Sequence, residues 1–189
     1  MTIAGAALAA GEMPRAVVES FSQGLIGVMK EAKALGFEGR SRRMAALVDE
    51  TYDLPFMTRL AVGASWATMT QEQRDRLVAA FRRFTVATYA SRFEGYSGER
   101  IVVAPDTTAN RNGVVVETRL IQDDGDPVTL NYQLHETDAR GRVVDVFLTG
   151  TISELATRRA EFAAVVRQRG LEGLIALLDE RAVAMAAGR

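Results

Sequence analysis

Apolar positions recur with a helical period through the first half of this 189-residue chain, alternate with polar ones in its middle, and return to the helical period at its end. Val17, Val18, Phe21, Leu25, Val28, Met29 and Ala32 share one helical face, Pro14 suits a first turn and Gly36 a cap, which predicts a helix over 14–35. A second helix follows over 41–52, with Met44, Leu47, Val48 and Thr51 inward and Arg40, Arg42 and Arg43 grouped near its start on the solvent side. Asp53 can cap a two-turn helix that carries Pro55 in its first turn and closes at Gly63. Thr70 with Gln73 reads as a capping box for a long helix over 70–93. That helix turns Leu77, Val78, Phe81, Phe84, Thr85, Thr88 and Tyr89 inward and leaves Arg74, Arg76, Arg82 and Arg83 to solvent.

After Phe93 the period falls to two, with turn residues between the runs. Strands are predicted over 100–104, 113–122, 128–136 and 142–149, with turns at Asp124-Gly125 and Arg140-Gly141. In the third, Val128, Leu130, Tyr132 and Leu134 occupy one face; in the fourth both faces are partly apolar, and Val144, Val146 and Leu148 are taken as inward. Ser153 can cap a helix whose stripe is Leu155, Phe162, Val165 and Val166 up to Gly170, and Leu171, Leu174, Ile175 and Leu178 make a last short one. Helices, four strands, then helices predict an α+β fold, a four-stranded antiparallel meander packed on one face by the N-terminal and C-terminal helices.

Composition narrows the class without naming a function. With 48% apolar and 25% charged residues and a net charge of −1, the chain has enough apolar material for one core and no global pull towards nucleic acid. It has no cysteine, so disulfides and thiolate chemistry are excluded. Residues 1–12 are small and apolar, and Ala7-Leu8-Ala9 has the form of an export cleavage site, so they read either as a signal-peptide remnant or as a disordered tail. The single domain is placed at 13–180, with 181–189 polar and alanine-rich enough to fray.

Groups that do chemistry are sparse. His135 is the single histidine, lies on the polar side of its strand and reads as solvated, with no partner set for a metal. Asp123, Asp124 and Asp126 are explained by a hairpin turn, and no nucleophile elbow or phosphate-cradling loop occurs. Asp145, inside a hydrophobic strand, reads as paired with an arginine. No catalytic residue, metal or cofactor is assigned.

Gly63 and Trp66, then Gln73, Leu77 and Phe81, then Thr88-Tyr89-Ala90 stand in an order and spacing that resembles the toluene-tolerance or MlaC family of periplasmic lipid-binding proteins. The resemblance continues through 128–134, Arg142-Val143-Val144-Asp145-Val146 and Gly150-Thr151-Ile152-Ser153, and the run from Ser153 to Phe162 is closest to the hopanoid-associated HpnM branch. It implies a soluble periplasmic carrier with a bound lipid, hopanoid or phospholipid, held in an apolar cavity between sheet and helices. It also implies an inner-membrane transporter complex and an outer-membrane lipoprotein as partners. Under it the lipid-binding residues are Phe56, Met57, Leu60 and Trp66 before the long helix, and Leu77, Phe81, Phe84 and Tyr89 on it. Val116, Leu130, Tyr132, Val144, Val146 and Leu148 follow on the sheet, and Phe162 on the last helix.

Two other classes compete on residues alone, because a solid core and an apolar pocket use the same side chains. A small α+β enzyme acting on a hydrophobic substrate needs an acid or base in the pocket, and Asp145 and Tyr132 are the candidates. A protein-interaction module with a filled core would use the pairs Arg42-Arg43, Arg82-Arg83 and Arg158-Arg159.

Overall fold

The computed structural model describes residues 4–122, 125–135 and 141–188, with side chains from Met13 onward. Among the described residues, five α-helices and a five-stranded sheet follow in the order α1 (Ala4–Lys30), α2 (Ala32–Thr51), α3 (Leu54–Val62), α4 (Gln71–Arg92), β1 (Arg100–Asn110), β2 (Gly113–Ile121), β3 (Val128–His135), β4 (Arg142–Leu148), β5 (Ile152–Ser153) and α5 (Glu154–Ala187), with a short 3-10 helix over Gly63–Thr68 between α3 and α4. The sheet is an antiparallel meander, β1-β2-β3-β4-β5. The fold class is therefore α+β as expected, with one strand more; Ile152 and Ser153 pair with Leu148 and Phe147 before Ser153 caps α5.

The predicted caps are present. Asp53 accepts from the Phe56 N–H, and Thr70 and Gln73 form a reciprocal capping box. At 22 residues and 1.5 Å per residue α4 is about 33 Å long, and α2, α3 and α5 all pack on it. Three of its solvent-side arginines also make ion pairs. Arg82 grips Asp49 of α2, and Arg76 and Arg83 grip Glu172 and Asp179 of α5, each through two nitrogens. These exposed forks fix helix register more than they add stability.

Elsewhere the helices depart from the local pattern. Pro14 lies inside α1, because the backbone is helical back to Ala4; its ring is buried, 3.9 Å from the Cβ position of Gly141. Helix α1 ends at Lys30, one turn before the expected Leu35, and the sharp break does fall at Gly36, where φ is +59°. At Gly170, φ +68° likewise bends α5 in two, and α5 then continues to Ala187 through the segment expected to fray. Only glycine takes both bends without a Cβ penalty.

Arg40 corrects the basic cluster. It is 5% exposed, and its guanidinium donates to the Ala90 and Ala32 carbonyls. The first of these lies in the last turn of α4, where carbonyls lack helical partners. Arg42 and Arg43 pair with Glu38 and Glu31. Arg40→Ala is expected to cost about 2 kcal/mol in urea melts, because it removes charged donors from buried carbonyls. A cost near zero would mean that those carbonyls are served by other groups.

Strand β1 runs six residues past the predicted end at Ala104 because Pro105 sits on an edge strand, beside a register shift between Val103 and Thr107, where no ladder N–H is needed. On the helix-facing side, Val116 opposes Tyr132, Tyr132 opposes Val146, and Leu130 opposes Leu148. A register shift between Gln133 and Leu134 then brings Val143, not Val144, opposite Leu134. Val143 thus joins Val146 and Leu148 on the inner side, and Val144, the extra residue at the shift, is buried in the same core. Asp123, Asp124 and the 136–140 side of the second hairpin lie outside the described residues, as do residues 1–3.

Candidate functional site

Helix α4 presents Phe81, Phe84, Thr85, Thr88, Tyr89 and Arg92 at alternating spacings of three and one, a single stripe. The stripe faces Leu130, Tyr132, Val146 and Leu148 of the sheet across a gap closed by Tyr52, Met57, Phe93 and the first turns of α5, Glu154, Leu155 and Arg158. The resulting cavity is open to solvent on one side and is smaller than the 300–1,000 Å³ typical of small-ligand sites. Only about 110 Å³ of it admits the centre of a water-sized sphere, so it is a narrow slot.

Its polarity is graded. Thr85 and Thr88 donate their hydroxyls to the Phe81 and Phe84 carbonyls and so need no partner in the cavity. Charge is confined to Arg92, Glu154 and Arg158. The Arg158 guanidinium lies 4.9 Å from the Phe84 ring centre and 3.4 Å from both Glu154 and Glu161. Burial works against charge at Glu161, yet Arg181 and Arg158 hold its carboxyl below the usual range. Arg92 is exposed and makes no ion pair among the described residues.

At the sheet side of the slot, Tyr52, Tyr89 and Tyr132 stand edge-on around the buried ring of Phe21, with centroids 5.5, 5.6 and 6.0 Å away. The Tyr52 and Tyr89 hydroxyls share a hydrogen bond. Burial pushes all three phenols up: Tyr52 and Tyr132 rise well above the ordinary value, and Tyr89 goes to about 12 despite its bond to Tyr52 and the nearby Arg92. All three remain O–H donors at neutral pH.

Of the fifteen residues expected at a lipid site, Met57, Phe81, Phe84, Tyr89, Leu130, Tyr132, Val146 and Leu148 line this slot. The other seven do not. Leu77, Val116 and Phe162 are fully buried in the solid core, and Phe162 meets Phe81 edge-on at 6.0 Å from behind. Val144 is buried at the shifted register. Phe56 packs on His135 and under Arg59, Trp66 under Arg74, and Leu60 is half-buried on α3 away from the slot. Thr85, Thr88 and Arg92 were legible as a continuation of the α4 stripe and Leu155 as part of a helix stripe; Tyr52, Phe93, Glu154 and Arg158 arrive by tertiary packing, with no local signal.

Asp145 lies outside the slot lining, and its partners are the Ser153 hydroxyl and the Leu155 and Val146 N–H groups, not an arginine. Burial pushes its carboxyl up against those three donors. It anchors the start of α5 to β4. His135 is not solvated either: its Nε2 is 2.9 Å from Asp53 Oδ2, which ties β3 to the cap of α3. Among the described residues no group of three potential ligands could hold a metal, and no helix is long and apolar enough to cross a membrane.

A family model described as MlaC protein matches residues 19–180. Among solved structures, the chain is similar to a phospholipid-binding protein from Ralstonia solanacearum, determined in complex with a phospholipid. The two are 26% identical with a TM-score of 0.76, over 91% of this chain and 98% of that one.

Proposed function

The chain belongs to the MlaC family, and from that membership and the graded slot we propose that it is a non-catalytic carrier that shelters the acyl part of a membrane phospholipid. The observation that carries the reading is the confinement of charge to Arg92, Glu154 and Arg158 at a slot otherwise walled by Phe81, Phe84, Leu130, Val146 and Leu148. Such a wall offsets the cost of leaving the bilayer. Each methylene kept from water is worth about 0.8 kcal/mol, so a chain of about sixteen carbons needs on the order of 12 kcal/mol of shelter. Arg92, exposed and without an ion pair among the described residues, suits a phosphate headgroup better than the uncharged head of a hopanoid, and the relative from Ralstonia solanacearum is named as binding phospholipid. We place the carrier in the periplasm, loading and unloading at an inner-membrane transporter and an outer-membrane lipoprotein, as expected for the family.

Mass spectrometry of the organic extract from purified protein tests this reading. A phospholipid close to one per chain is expected; a hopanoid would redirect the ligand assignment, and repeated preparations with no amphiphile and none loadable would end the carrier reading.

A further inference from the structure

Three phenols meet at the slot, and their hydrogen bonds do not add up. Tyr52 and Tyr89 share one bond, which uses one of their two hydroxyl protons. Neither the second proton nor that of Tyr132 has an acceptor among the described residues. Tyr132 is 1% exposed, and its hydroxyl is not among the fully enclosed partnerless atoms of the described residues, so the little surface it keeps includes that oxygen, on the slot it lines; phenylalanine would fill the same space around Phe21 without leaving a donor there.

Position identifies the acceptor. Tyr89 lies three residues, about 4.5 Å along the axis, before Arg92 on α4, and its phenol is within the electrostatic reach of both Arg92 and Glu154. The phenols therefore cluster around Phe21 at the level next to the charged residues of the slot. In a glycerophospholipid whose phosphate meets the rim, that level is occupied by the ester carbonyls.

We infer that Tyr52, Tyr89 and Tyr132 form a donor set for the acyl-ester carbonyls of the bound lipid, so that the protein discriminates ester-linked from ether-linked phospholipids. This rests on the carrier reading. Because the phenols are held far from ionisation, they donate across the whole physiological pH range.

The test compares binding of diacyl and di-O-alkyl phosphatidylglycerol of identical chain length, measured by competition on the full chain and on Tyr132→Phe and Tyr89→Phe. The natural sequence should favour the diester by about 3- to 10-fold, the factor one modest hydrogen bond supplies. At least one tyrosine variant should bring the ratio close to one. The ratio does not depend on the fraction of protein folded, so a destabilised variant still reports. Equal binding of the two lipids by the natural sequence, or an unchanged ratio in both variants, would overturn the donor set and leave the carrier reading standing. Binding of neither lipid would remove the carrier reading and the donor set together.

Discussion

Leu130→Trp should remove most lipid binding, at least tenfold, from a protein that stays folded, while Thr129→Trp next to it binds as the parent does. Leu130 is half-buried, lies opposite Leu148 and faces the slot; Thr129 points to the other side of the sheet, opposite Arg119. An indole at position 130 takes space meant for a tail. Overpacking a solid core costs about 1–3 kcal/mol, but filling space that is open costs little, so the expected loss of stability is below about 1 kcal/mol in denaturant melts. Equal lipid loading in the two variants would contradict the assigned face. Severe unfolding by Leu130→Trp would put Leu130 in a solid core.

Phe162→Ala should do the reverse. Its ring is fully buried, lies behind Phe81 and does not reach the slot, so truncation leaves a void in packed interior. The expected cost is about 3–5 kcal/mol, a fall in Tm of roughly 10 °C, with lipid binding by the folded fraction kept within about threefold. Lost binding at unchanged stability would move Phe162 into the cavity wall.

These two positions mark where sequence reasoning reaches and where it stops. Phe162 and Leu130 carry the same apolar signature on a periodic stripe, and periodicity tells only that a side chain faces inward. Whether neighbouring atoms fill the space beyond it depends on how α4, the sheet and the start of α5 are spaced, a tertiary quantity. What local energetics control was legible: the Thr70–Gln73 box, the Asp53 cap, the positive-φ break at Gly36 and the parity of β3. What long-range contacts control was not. Arg40 reads as solvated among its neighbours, and the Ala32 carbonyl together with the Ala90 carbonyl, fifty residues away, draws it inside. Pro105 reads as a strand end, and only its place on the sheet edge lets β1 continue. The register shift that brings Val143 as well as Val144 into the core leaves no mark in the Val143-Val144 pair.

The central claim is that a lipid tail lies between α4 and the inner face of β3 and β4. A diffraction structure of the protein loaded with a phospholipid brominated along one acyl chain measures this directly through the anomalous signal of bromine. Peaks between Phe84 and the Leu130–Leu148 pair are predicted, with the headgroup towards Arg92. Bromine peaks confined to the outer faces of the sheet or helices, with the slot closed by its own side chains, would contradict it.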